Sequence, residues 1–241
     1  MKKIFFTVGF LFILITLTSC GVSNKSITRY QKMEEGVSSP TSVEELKDAI
    51  KKYQERVADI QLANSQVGIW YKMLGTRYID QKMYGEALKC FQEALKYYPD
   101  NQNLYYYVGV CAGYMSHAAM DFGASGNTEV RYNYLKLAED AYLRAVSIEE
   151  RYVRALYGLG VLYVFELDEP EKAVPYLERA VSVETRNIDA MFVLARAYYS
   201  IYEFEKSAAV YDKIIATTKS AETKATAEEN KKTVLDALYS K

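Results

Sequence analysis

An all-α fold built from helical hairpins is predicted by three features of the 241-residue chain. Tyr71, Leu74 and Tyr78 recur at three- and four-residue spacing, as do Phe91 and Ala94, so each set lies on one face of a helix. Gly75 and Ala87 place small side chains where two such helices would approach most closely, and Pro99 ends the second because its ring has no N–H to continue the ladder. The same arrangement returns further along the chain. A composition of 50% apolar and 25% charged residues is that of an ordinary globular protein.

Taken in order, Lys2 and Lys3 give a basic start and Ile4 to Leu17 an apolar run, followed by Leu17-Thr18-Ser19-Cys20. So short a run ending in small residues reads as a secretory signal over 1–20 rather than a spanning helix. The ending resembles the bacterial lipobox, which implies lipidation of Cys20 and a chain tethered to membrane through its N-terminal lipid; a plain signal peptide or an uncleaved anchor is the alternative. Gly21 stands where the enterobacterial inner-membrane rule wants Asp, so the resemblance implies the outer membrane, facing the periplasm. Residues 21–41 are small and polar and form a flexible tether. Some 20 such residues span roughly 25 Å as a coil.

Ser42-Val43-Glu44-Glu45 is a capping box. Leu46, Ile50, Tyr53, Val57 and Ile60 then draw one apolar stripe along a helix over 42–64, expected to cover the open end of the first hairpin. That hairpin occupies 68–101. In the second, 102–152, Tyr105, Val108 and Gly109 repeat the columns of Tyr71, Leu74 and Gly75, whereas Ala138, Tyr142 and Ala145 repeat Ala87, Phe91 and Ala94 only after an insertion of seventeen residues. Both flanks of the insertion read as lengthened helices, an arm closed by a loop over 121–127.

The third hairpin, 153–187, keeps Leu156, Leu159, Gly160 and Tyr163, then Ala173, Leu177 and Ala180 after one extra residue in the 168–171 turn. The fourth, 188–221, keeps Met191, Leu194, Ala195 and Tyr198, with Ser207, Tyr211 and Ile214. A solvated helix over 222–241 closes the chain.

These columns resemble the tetratricopeptide repeat, whose pattern runs aromatic, Leu-Gly, Tyr, Ala, Phe, Ala, Pro over about 34 residues. The resemblance implies an α-solenoid of four repeats with a capping helix at each end. It also implies a concave groove lined by the first helix of each repeat. Carried over by register, the groove residues are Tyr106, Val110 and Tyr114, then Tyr157, Val161 and Phe165, then Phe192, Arg196 and Tyr199. The carboxylate clamp of chaperone-binding members is absent, since Lys72 fits it but Thr76 and Tyr107 depart.

A net charge of −1, made more acidic once Lys2 and Lys3 are removed, argues against nucleic acid. One histidine, His117, and the lack of metal-ligand spacing, phosphate loop or serine elbow argue against an enzyme, a metal or a cofactor. Cys90 and Cys111 fall on neighbouring helices, where an oxidising compartment permits a disulfide and burial as free thiols is the alternative.

An aromatic and aliphatic wall of this size needs a cover: the chain's own helices, a partner protein or peptide, or a small apolar ligand. The expectation is an adaptor for an envelope assembly or secretion complex. The alternative is a small-ligand-binding accessory lipoprotein of a solute transport system.

Overall fold

The computed structural model describes residues 40–121 and 128–240, which form nine α-helices and one π-helical turn, with no strand among them. The chain falls into two units, Met1–Asp59 and Ile60–Lys241. Cys20 and the 122–127 loop lie outside the described residues.

In the first unit the capping box forms as read. Ser42 Oγ accepts from the Glu45 amide at 3.2 Å, and Glu45 Oε2 accepts in return from the Thr41 and Ser42 amides at 2.8 and 3.1 Å. Those backbone donors hold the Glu45 carboxyl below the usual carboxylate range. They open α1, Val43–Asp80, a single helix of 38 residues. Here the structure corrects the expectation of a separate capping helix over 42–64. Nothing between Gln61 and Val67 breaks a helix, and Gly68 alone is tolerated within one. Leu46, Ile50, Tyr53, Val57 and Ile60, the stripe expected to be covered, are exposed.

In the second unit α1 pairs with α2 (Tyr84–Leu95). Next come α3 (Gln102–Asp121) with α4 (Thr128–Ile148), α5 (Val153–Val161) with α6 (Pro170–Val183), and α7 (Ile188–Ser200) with α8 (Phe204–Thr217). Helix α9 (Ala221–Tyr239) packs on α8.

Each of the first three hairpins is closed by a large residue seated on a small one. A Cβ at Gly75 would lie 2.9 Å from the Phe91 ring, one at Gly109 2.5 Å from Tyr142, and one at Gly160 2.2 Å from Leu177. Phe91 and Leu177 are wholly buried, each contributing about 1.5–3 kcal/mol through the area it removes from water. In the fourth hairpin Ala195 replaces the glycine, and the buried Ser207 donates from Oγ to the Ala195 carbonyl at 2.8 Å.

The turns repeat too. Lys82, Asp168 and Tyr202 occupy the same register position, all with positive φ (59°, 55° and 63°). In all three the next residue's amide reaches back to the column tyrosine: Met83 to the Tyr78 carbonyl at 2.8 Å, Glu169 to that of Tyr163 at 2.8 Å across one extra residue, and Glu203 to that of Tyr198 at 2.9 Å. This is the Schellman end of a helix, made without glycine.

The third hairpin differs from expectation. Its extra residue is not in the turn but inside the first helix, where Leu162–Glu166 forms a π-helical turn and the Leu167 amide bonds the Leu162 carbonyl at 3.0 Å. Asp168 and Glu169 then turn the chain, and Pro170 starts α6 in its first turn, where no amide hydrogen is needed. Cys90 and Cys111 are buried free thiols.

Candidate functional site

Helices α3 and α5 present their inner faces to a cavity of about 360 Å³. From α3 come Tyr106, Val110, Gly113, Tyr114 and His117, and from α5 and its π turn Arg154, Tyr157, Gly158, Val161, Leu162 and Glu166. Tyr142 of α4 forms the floor with Ala138.

The floor explains two glycines. The Tyr142 ring lies between α3 and α5 so closely that a Cβ would meet it at 2.5 Å from Gly109 and at 2.8 Å from Gly158. A side chain at either position would collide with the ring. Above it Tyr106 makes a tilted contact at 6.2 Å with Tyr142 and an edge contact at 6.0 Å with Tyr152. Tyr152 is itself fixed by a 2.6 Å bond from its hydroxyl to Asn103 Oδ1. Tyr114 is held in the wall by stacking on Tyr84 of α2, centroids 4.0 Å apart and planes within 6°.

Charge sits at the two ends of α5. At one end the Arg154 guanidinium lies 5.8 Å above the Tyr106 ring, and no carboxylate among the described residues pairs with it. At the other, Glu166 accepts from Arg131 Nη2 at 3.0 Å, and its second oxygen lies 3.1 Å from His117 Nε2. Arg131 belongs to the lengthened part of α4 and His117 to that of α3, so the arm is fastened at its base to the third hairpin. Burial raises the phenols of Tyr106, Tyr157 and Tyr142 above the ordinary tyrosine value, with Arg154 opposing the shift at Tyr106. At neutral pH the cavity therefore offers aromatic faces, neutral hydroxyl donors, one cation and one compensated acid.

Five of the nine expected groove residues meet here: Tyr106, Val110, Tyr114, Tyr157 and Val161. The other four do not. Phe165 is exposed, because the π turn adds a residue and rotates the positions after it by about 100°, so Glu166 takes its place in the wall. Phe192 packs edge-on against Tyr211 at 6.0 Å, Tyr199 tilts against Phe204 at 5.5 Å, and Arg196 lies over Tyr199 at 5.7 Å. Those three serve the fourth hairpin's own packing.

Sequence reasoning passed over Arg154, Glu166, Tyr142 and Gly158 as groove residues. Arg154 sits one helical turn before Tyr157 and could have been found by extending the register; nothing in the sequence signals the π turn that brings in Glu166. A second hollow of about 450 Å³ between α6, α7 and α8, lined by Glu178, Met191, Tyr198 and Lys213 among others, contains none of the expected residues. Among the described residues no group of three His, Cys, Asp or Glu could hold a metal ion, and no helix is long and apolar enough to cross a membrane.

The tetratricopeptide-repeat pattern matches residues 69–101 and 164–222. A TPR repeat-containing protein of Borreliella burgdorferi is 26% identical over 230 residues, spanning 93% of this chain and 94% of that protein. Among solved structures, MamA aligns with a TM-score of 0.54 at 22% identity, covering 72% of this chain and 87% of its own. YrrB, described as a TPR protein with an unusual peptide-binding site, aligns with a TM-score of 0.53 at 22% identity, covering 78% of this chain and 85% of its own. These two likenesses are of fold. The second hairpin, interrupted by its arm, lies outside both matched stretches yet keeps their closure, Gly109 on Tyr142 as Gly75 on Phe91.

Proposed function

From the tetratricopeptide-repeat matches at 69–101 and 164–222 we propose that the chain is a non-catalytic adaptor that takes a segment of a partner protein against the wall between α3 and α5. The observation that carries the reading is the convergence of Tyr106, Val110, Tyr114, Tyr157 and Val161 on one cavity. Tyrosine suits such a surface, with a broad apolar ring and one polar end at small entropic cost. Arg154 adds a cation for an acidic or carboxylate group of the bound segment.

The adaptor works at a membrane of the bacterial envelope, tethered by lipid on Cys20. Support for the tether is in the sequence: Lys2-Lys3, the apolar run to Leu17, and Leu17-Thr18-Ser19-Cys20. Several acyl chains on one residue hold far more firmly than one. The outer membrane, facing the periplasm, is the proposed address, and an assembly or secretion complex the proposed setting.

One observation favours a second reading. A cavity of about 360 Å³ falls in the ~300–1,000 Å³ range of small-ligand sites, as an accessory lipoprotein of a solute transport system would need.

The test is affinity purification from cross-linked native envelopes, comparing the intact protein with a Tyr157→Ala, Val161→Ala variant. One defined protein, lost in the variant, is the expected result. Recovery of the same proteins by both forms would remove the cavity as a protein-binding surface and leave it to a small ligand.

A further inference from the structure

Helix α1 carries a second unfilled surface, independent of the cavity. Val43, Ile50, Val57 and Asn64 alternate with Leu46, Tyr53, Ile60 and Val67 in an unbroken four-three rhythm, the a and d positions of heptads. Every apolar member of that set is between 37% and 60% exposed. Beyond it the rhythm continues through Tyr71, Leu74 and Tyr78, but there Tyr71 and Tyr78 pack into the core with Phe91 and Leu104. On this face Tyr71 and Tyr78 are thus packed into the core, Leu74 between them is 43% exposed, and the positions from Val43 to Val67 are bare. On a straight helix a 3.5-residue period drifts by about 20° per heptad, a drift that a second helix winding with the first takes up.

We propose that the occupant is a second copy of this chain, its α1 paired in parallel and in register over Val43–Val67 as a two-stranded coiled coil. Asn64 decides the orientation. In a parallel, in-register pair the two Asn64 amides meet in the seam and hydrogen-bond each other, whereas an antiparallel pair sets each against an apolar d residue and leaves it unsatisfied. The β-branched side chains at the other a positions, Val43, Ile50 and Val57, suit two strands. The flanks do not resist: in this register Ala49 faces Gln54 and Arg56 faces Gln61 across the seam, so no like charges meet. Arg56 lies 5.1 Å over the ring of Tyr53 on its own helix.

The size of the surface sets the strength. The stripe is about 36 Å long and roughly 10 Å wide, on the order of 350 Å² in projection, less than half of the ~800 Å² per partner of a standard interface. The pair is therefore reversible and concentration-dependent, and confinement of chains to a surface drives it further than dilute solution does.

The test uses the full chain in detergent. Sedimentation over a range of concentrations should show monomer passing to dimer. An Ile50→Glu, Val57→Glu variant should stay monomeric at every concentration with unchanged helical circular dichroism, since both positions are exposed. Asn64→Leu should raise the dimer fraction. In parallel, Val57→Cys should give a disulfide-linked dimer on mild oxidation, while Glu55→Cys on the opposite face and the parent chain should not. A parent chain that is monomeric at all concentrations overturns the proposal, as burial of the stripe by its own residues 21–39 would. So does Val57→Cys linking no better than Glu55→Cys, or an assembly that survives the double substitution. The cross-linking arm stands even if the double variant folds poorly.

Discussion

The ring of Tyr142 occupies the space that a side chain at Gly158 would need: a Cβ there would lie 2.8 Å from Cζ. Gly158→Ala should cost about 1–3 kcal/mol, the range for overpacking a filled site. Urea titration followed by circular dichroism measures it. If the ring is the cause, Tyr142→Leu in the same chain should make the two losses less than additive. Strict additivity would show that the ring is not the cause, and a gain in stability would show that helix propensity, which favours alanine over glycine, outweighs the overpacking.

Much of this packing was legible in the sequence, because Gly75, Gly109 and Gly160 each follow an aliphatic column residue directly and Phe91, Tyr142 and Leu177 each stand four residues after a column alanine, and offsets within one helix are geometry. The floor of the cavity was not. Gly158 lies off the repeat columns, and its need for space comes from a ring on α4, a neighbour that spacing along α5 cannot reveal. Glu166 was hidden for another reason, since its partners His117 and Arg131 lie in a different hairpin and it reaches the wall only through the π turn. The continuity of α1 was misread by drawing a repeat boundary where the residues from Gln61 to Val67 supply no break.

Ser207→Ala should destabilise the fourth hairpin by about 0.5–1.5 kcal/mol, the net worth of one buried hydrogen bond. The serine fills the usual alanine column and donates to the Ala195 carbonyl at 2.8 Å. Chemical denaturation gives the number. A gain in stability would mean that the hydroxyl's burial outweighs its bond.

Glu166→Gln should loosen the base of the arm, removing the charge shared by Arg131 and His117 while keeping the shape. The contact is partly buried, and a loss of about 1–2 kcal/mol is expected, between an exposed and a buried pair. Amide hydrogen exchange should quicken over 114–119 and 130–134 and stay unchanged over α7 and α8. Equal protection in both chains would show that the arm is held by its apolar face alone.

Stability should fall on the alkaline side. Burial is the first cause of the raised phenols of Tyr106, Tyr142, Tyr157 and Tyr211, and of the Cys111 thiol, pushed up to about 12. A group held protonated by the fold contributes stability that is whole below its unfolded value and is lost as pH rises through its folded one. Helical circular dichroism should therefore hold to about pH 10, the ordinary tyrosine value, and then collapse together with tyrosinate absorbance. Titration of these phenols near pH 10 in a still-helical protein would contradict the burial. For the same reason Cys90 and Cys111 should resist alkylation at pH 8 until the chain is unfolded.

The π turn at Leu162–Glu166 has a consequence for reading related chains. An inserted residue in a loop leaves the flanking columns in phase, but one taken up inside a helix shifts the reading frame in space: up to Val161 a column alignment names the right wall residue, and past it the name is one place early. Deleting a single residue there would turn the π turn into ordinary α-helix and leave Glu166 in the wall, now as the fourth residue after Val161; only passing the extra residue on to the 168–171 turn would bring Phe165 to the wall and Glu166 to solvent. The chemical character of that boundary is thus written in where the extra residue is accommodated as much as in which residues are present.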